Sequence, residues 1–151
     1  MRAVLQRVSE AKIAVEGTPV TEIGPGLLVL LGIGHEDNEE TCRQLAARIA
    51  RLRIFDDETG RMNRSLLDVH GAALVVSQFT LYADASRGLR PSFTDACPPA
   101  RARELCDRFA CELGYLGVPV RTGRFGARMA VQLTNEGPVT IVLEEPRRQA
   151  S

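Results

Sequence analysis

The sequence predicts an α+β fold: a largely antiparallel, curled, barrel-like β-sheet system covered by about two helices. Three observations carry this. About eight short segments have strand character, two longer segments place apolar residues at helical spacing, and Gly/Pro turns punctuate the chain between them.

In chain order, residues 3–8 and 12–15 read as strands, with Ser9-Glu10 between them as a turn or bulge. Residues 16–19 form a hairpin turn into a strand over 20–23. Gly24-Pro25-Gly26 reverses the chain into a central strand over 27–33. Asp37-Asn38-Glu39-Glu40 reads as a capping box, Asp37 as N-cap and Glu40 at N3, opening a helix to about Leu52. Cys42, Leu45, Ala46, Ile49 and Leu52 form its apolar stripe, so it covers a sheet. Ile54-Phe55 starts a short strand, 56–60 is a turn, and 62–69 fits no single template. Ala73-Leu74-Val75-Val76 is an unbroken apolar run, the mark of a strand buried on both faces. Pro98-Pro99 opens a second helix to about Leu113, with Ala102, Leu105, Cys106, Phe109 and Leu113 on one face. Residues 118–121, 129–134 and 139–143 have strand character, separated by a glycine-punctuated connection over 122–126 and a break at 135–138. The charged end from Glu144 onward has no apolar pattern. One domain is expected over 1–146, with a frayed tail over 147–151.

At 151 residues the chain is long enough to bury a core in one domain, and 44% hydrophobic with 25% charged residues is a globular composition. Lys+Arg 19 against Asp+Glu 19 leaves no general basic field, so any nucleic acid contact is local. The first residues lack the apolar core of a signal peptide, and the longest apolar run, 27–31, is too short to span a bilayer. A cytoplasmic protein with no membrane association is expected. Cys42, Cys97, Cys106 and Cys111 form no C-x-x-C pair, and His35 and His70 follow no metal-ligand spacing. Reduced thiols are expected, with no metal and no cofactor.

Two polar clusters interrupt the apolar pattern. Ser77, Gln78 and Thr80 arrive together at the end of the buried strand, where each unpaired buried group would cost about 1–3 kcal/mol. Taken alone they either bond the neighbouring backbone or form a small polar site on a rigid strand end, with N–H groups and hydroxyls aimed at one substrate. The following loop carries Arg87, Gly88, Arg90 and Phe93, either a solvated surface loop or a holder of phosphates and a base. The second cluster runs from Asn135 to Thr140. It reads as a hairpin turn, or as a turn with a cis Gly137-Pro138 bond, a rarity at about 5–6% of X–Pro bonds. Arg7 is unusual in a strand-like segment: it is a solvated face residue or a fork of donors pinning backbone carbonyls.

Together, Ser77-Gln78-Phe79-Thr80-Leu81 and Asn135-x-Gly137-Pro138-Val139-Thr140 resemble the paired signature of the D-aminoacyl-tRNA deacylases, the D-tyrosyl-tRNA deacylase family. The likeness extends to Gln6-Arg7-Val8, residues 26–32, Met62-Asn63, Arg90-Pro91-Ser92-Phe93 and Thr122-Gly123-Arg124-Phe125. The resemblance implies a homodimer that hydrolyses the ester between a D-amino acid and the terminal ribose of tRNA. Its partners would be the 3′ CCA ends of D-aminoacyl-tRNA and of glycyl-tRNA, including glycine mischarged on tRNA-Ala. Ser77, Gln78, Phe79 and Thr80 would form the catalytic strand end. Gly137 and Pro138, joined by a cis bond, would enter the partner subunit's pocket as a chiral filter, held by Arg7 and supported by Asn135, Val139 and Thr140. Arg87, Arg90, Phe93 and Arg124 are candidate tRNA contacts.

Ester hydrolysis needs an activated water and donors for the tetrahedral oxyanion. Neither histidine lies in either motif, and no carboxylate or lysine lies within 77–82, so a Ser/Thr–His triad is poorly supported. The family reading assigns water activation to the terminal 2′-OH of the RNA, with N–H groups around Phe79 and Thr80 supplied by the protein. If the carbonyls of Gly137 and Pro138 bind the substrate amino group, they leave room only for hydrogen where an L-residue carries its side chain. Two rival classes remain: an esterase with Thr80 Oγ as covalent nucleophile, and a nucleic-acid-binding module without chemistry.

Overall fold

The computed structural model describes residues 1–147. β1 (Arg2–Val15) is the hub of the sheet, 14 residues long where two strands and a bulge are expected from sequence. The expected irregularity survives as register shifts against a partner strand around Val8–Glu10, so the chain bends without leaving the sheet. Along one edge β1 pairs antiparallel first with β3 (Gly26–Gly32) and then with β2 (Thr18–Ile23). Along the other it pairs with β8 (Met129–Glu144), from Arg2 opposite Glu144 to Val15 opposite Met129.

The remainder of the sheet corrects the expectation of a largely antiparallel arrangement. β3 pairs in parallel with β6 (Ala72–Ser77), and β6 in parallel with β7 (Val120–Thr122). The reason is connectivity: parallel neighbours need a crossover. Here the crossovers contain α1 (Glu39–Arg51) and α2 (Pro99–Tyr115), with the small hairpin of β4 (Phe55–Asp56) and β5 (Met62–Arg64) in the first. The result is a mixed, nearly closed α+β sheet with both helices against it.

Alternation along β3 and β6 separates two cores. Leu27, Val29, Leu31, Ala73 and Val75 face the helical layer, where Cys42, Leu45, Ile49, Leu105, Phe109 and Leu113 are buried with them. Leu28, Leu74 and Val76 point into the curl of the sheet with Val8, Ala11, Ile13 and Ile23. Burial on both faces therefore makes β3 and β6 the rigid centre. At the start of β3, Gly26 (φ +157°) lies so close to β6 that a Cβ would fall 1.8 Å from the carbonyl oxygen of Ala72. Only glycine fits that approach.

Helix α1 is capped one residue later than the sequence suggests. Asn38 is the N-cap, its Oδ1 accepting from the Thr41 N–H at 3.1 Å while Thr41 Oγ1 accepts from the Asn38 N–H at 3.2 Å. Asp37 is engaged elsewhere, by the Met1 ammonium at 2.5 Å and by the Gly34 N–H at 2.7 Å. Glu144 and Glu145 are tied down: the Met1 ammonium donates to the Glu145 carbonyl at 2.7 Å, and Arg48 donates to that of Glu144 at 3.0 Å. Of the tail expected over 147–151, all but residue 147 lies outside the described residues. Among the described residues no helix is long and apolar enough to cross a membrane.

Candidate active site

The end of β6 builds the first half of the site. Its apolar run is fully interior, Ser77 and Gln78 are half-buried, and Phe79 and Thr80 are exposed. The Gln78 N–H prolongs the pairing with β3 by donating to the Leu31 carbonyl at 2.8 Å, after which Phe79–Tyr82 closes into a single 3-10 turn. Its bonds run from the Leu81 N–H to the Gln78 carbonyl and from the Ala83 N–H to the Thr80 carbonyl. The N–H groups of Phe79 and Thr80 stand ahead of them, with no acceptor among the described residues. Two adjacent donors at the first turn of a helical segment suit a developing negative charge.

The turn is pinned from behind. Arg2 donates to the Leu81 carbonyl at 2.9 Å, and its guanidinium lies 4.4 Å from the centre of the Tyr82 ring. The Tyr82 hydroxyl reaches Asp37 Oδ2 at 3.4 Å; burial, then the neighbouring Asp37 charge, raise the phenol pKa and keep it a neutral donor. No such brace was readable locally, because Arg2, Asp37 and Tyr82 are far apart in sequence.

In front of the turn lies a cavity of about 570 Å³ bounded by Ser77, Gln78, Phe79, Phe93, Phe125 and Ala127, among others. Phe79 and Phe93 meet edge to face, ring centres 5.1 Å apart. Its size suits a small-molecule or nucleotide ligand. Among the described residues the one ionisable group on its wall is Cys97, whose thiol burial pushes upward, and no carboxylate, lysine or histidine base lines it. Thr80 stands outside the wall, its Oγ1 in contact with the Gln78 amide. Arg87 and Arg90 lie exposed on a loop closed by the reciprocal bonds of Asp84 and Ser92.

The second polar cluster is a wide bulge in β8. Val8 pairs with Asn135 and Gln6 with Thr140, so Arg7 alone on β1 faces the four residues 136–139. The Gly137-Pro138 peptide is cis, and both residues are exposed. Arg7 is only 7% exposed: pleat alternation puts it next after Ala3 and Leu5 on the core-facing side of β1, so its charge needs partners. Its Nε donates to the Glu136 carbonyl at 3.1 Å, and its Nη1 to the Ile54 carbonyl at 2.9 Å and Asp56 Oδ1 at 3.2 Å. Of the two sequence readings of Arg7, the fork pinning carbonyls is the one observed. The other flank is tied by Gln6, whose Oε1 accepts from Asn135 Nδ2 and from Thr140 Oγ1, each at 2.6 Å. Asn135 Oδ1 accepts in turn from the Val139 N–H at 3.2 Å, and the Val139 side chain enters the core.

Thus Arg7, Asn135, Val139 and Thr140 all surround Gly137-Pro138, whereas that pair does not line the cavity beside Ser77 in its own chain. Gln6 and Asp56 were missed as supporting residues. A second polar residue beside Arg7 in a strand was a signal for Gln6; nothing in the turn sequence marks Asp56.

The family model described as D-Tyr-tRNA(Tyr) deacylase matches residues 4–144. Curated relatives include the D-aminoacyl-tRNA deacylase of Thermomicrobium roseum, 61% identical over 95% of this chain and 94% of that one. That of Roseiflexus sp. (strain RS-1) is 62% identical over 99% of both. Among solved structures, a c-Myc DNA unwinding element binding protein superposes with a TM-score of 0.92 at 39% identity, covering 97% of this chain and all of the other. A probable eukaryotic D-amino acid tRNA deacylase shares the fold, with a TM-score of 0.79 at 18% identity over 94% of this chain and 97% of that one.

Proposed function

Since the chain belongs to the D-Tyr-tRNA(Tyr) deacylase family, and is by that membership a D-aminoacyl-tRNA hydrolase, we propose how its residues cleave the ester and choose the enantiomer. The ester carbonyl sits in the cavity beside Ser77 and Gln78, and its oxygen takes the N–H groups of Phe79 and Thr80 as the tetrahedral oxyanion forms. Water attacks the carbonyl carbon, the bond to the ribose 3′-oxygen breaks, and that oxygen takes up the proton. Water is activated by the neighbouring 2′-OH of the substrate. The observation that carries this is two unpaired N–H groups beside a cavity without a protein base. Position and orientation then supply the acceleration.

Enantiomer choice belongs to Gly137-Pro138 acting across a homodimer, in the partner's cavity. The pair is exposed, braced through Arg7 and absent from the wall of its own chain's cavity, and Val131, Leu133 and Val142 of the same strand are exposed apolar residues suited to a subunit contact. A filter that leaves room only for hydrogen on one side of the α-carbon also admits glycine, so glycyl-tRNA is a substrate. Incubation with matched D- and L-aminoacyl-tRNA tests the reading: the D ester is lost and the L ester persists. Equal rates overturn it.

A covalent Thr80 mechanism predicts a different mutant. Among the described residues Thr80 Oγ1 bonds only the Gln78 amide, as acceptor, and no base stands ready to take its proton. Thr80→Ala keeps the backbone donor and should retain substantial single-turnover activity; a loss of many orders of magnitude, as for a nucleophile, would refute the backbone role. The neighbour named for binding a DNA unwinding element favours a second reading, nucleic acid binding without chemistry. Salt-steep binding with no ester loss would be its signature.

A further inference from the structure

A second cavity, of about 240 Å³, adjoins the first and shares Ser77, Phe125 and Met129 with it. Its remaining wall includes Arg103 and Asp107 of α2, with Thr122 and Arg124 at the end of β7 and just beyond. We propose that this side cavity is a phosphodiester subsite in which the Arg103 and Arg124 guanidinium groups hold the phosphate that joins the esterified nucleotide to the one before it. The proposal rests on the deacylase mechanism above.

The electrostatic argument is local, because the chain as a whole is neutral. Two arginines share the wall with one carboxylate, Asp107, and burial pushes the Cys106 thiol up to about 12, so it stays uncharged. Arg103 and Arg124 join none of the ion pairs among the described residues. Elsewhere on α2 the pattern is the opposite: Arg101 pairs with Glu104 at 3.1 Å and Arg108 with Glu112 at 2.7 Å. The Arg103 guanidinium instead lies 5.9 Å from the centre of the Phe125 ring, on the wall common to both cavities. Stacking over a ring leaves the edge donors of a guanidinium free for an anion.

Chemistry selects the occupant. An ester seated beside Ser77 carries a ribose, and the nearest anion attached to that ribose is the phosphodiester on its 5′ side. A planar fork of donors matches phosphate oxygens, and the hydroxyls of Ser77 and Thr122 add neutral donors on the same wall. A carboxylate on the amino acid side chain would be the other anion within reach.

The test compares wild type with Arg103→Gln, Arg124→Gln and the double variant on two substrates, D-aminoacyl-tRNA and the 3′-D-aminoacyl ester of adenosine, which has no phosphate. For the double variant the ratio of kcat/KM, tRNA over adenosine ester, should fall about ten-fold through KM. The salt dependence of the tRNA reaction should become shallower by about 0.7 in log–log slope for one lost single-strand phosphate contact. Equal losses on both substrates, no loss on either, or a loss confined to acidic amino acids would overturn the subsite. If the short ester reacts too slowly to follow, the slope decides alone, and an unchanged slope overturns it. Wild-type inactivity on both substrates is a different failure, that of the deacylase mechanism.

Discussion

Gly137→Ala should lose about a hundred-fold or more of kcat/KM on D-aminoacyl-tRNA, a loss of the size that misplacing a reacting group by an ångström produces. The added Cβ would stand 2.9 Å from Val139 Cγ2, 3.1 Å from the Val139 nitrogen and 3.2 Å from Arg7 Nη2. Val139 is held in the core and Arg7 by its carbonyl partners, so neither yields easily. Gly137 also has φ +127°, where an L side chain is strained by about 1–3 kcal/mol. The displaced element is the exposed bulge, so the fold should survive. Single-turnover ester loss read beside a thermal melt separates the two effects, and near-wild-type deacylation in the variant would remove Gly137 from the site.

Arg7→Ala should cost both stability and selectivity. Truncation strips the Glu136 and Ile54 carbonyls of a charged donor; Glu136 is exposed and can turn to water, but the buried Ile54 acceptor left unpaired costs about 1–3 kcal/mol. The Asp56 contact adds little, because that side chain is 51% exposed and exposed ion pairs contribute about 0–1 kcal/mol. A lowered melting temperature alone would make Arg7 a structural residue. The expected signature is a D-over-L rate ratio that falls by more than the D rate itself, since the bulge loses its anchor while the Phe79–Thr80 turn keeps its own. Preservation of the ratio in a folded variant would contradict the assignment. Asp56→Asn, with its acceptor oxygen retained, should change neither quantity by more than about two-fold.

Reading the sequence succeeded where the physics is local. The unbroken run before Ser77 announces a strand buried on both faces, and the stripes of the two helices announce the surface that covers it. It failed by one residue at the α1 cap because Asp37 and Asn38 are both good N-caps; the choice is made by the Met1 ammonium, 36 residues away in sequence. The mixed sheet was hidden for a related reason, since strand direction depends on whether a helix is a crossover or an insertion. Around Gly137-Pro138, the neighbours Arg7, Asn135, Val139 and Thr140 were legible, whereas Gln6 and Asp56 were not. Arg7 finds two of its partners in main-chain carbonyls, at Ile54 and Glu136, and carbonyls carry no residue identity. Arg103 reads as one more charge on a helix until the cavity wall identifies its neighbours.

The pairing of the hub strand has a bearing on the order in which the chain acquires activity during synthesis. Arg2 lies opposite Glu144 and Gln6 opposite Thr140, so the bulge that carries Gly137-Pro138 closes between segments emerging from the ribosome at nearly opposite times. Contacts of such separation form late, after the loop-closure entropy has been overcome. The turn at Phe79–Tyr82, proposed to bind the ester, depends on β3 and on neighbours made much earlier. A nascent chain arrested before β8 could thus present the turn without the filter, while the β1 edge reserved for β8 remained open to pairing with other strands. Under the proposed filter, enantiomer discrimination would then depend on β8, the last of the described strands to arrive.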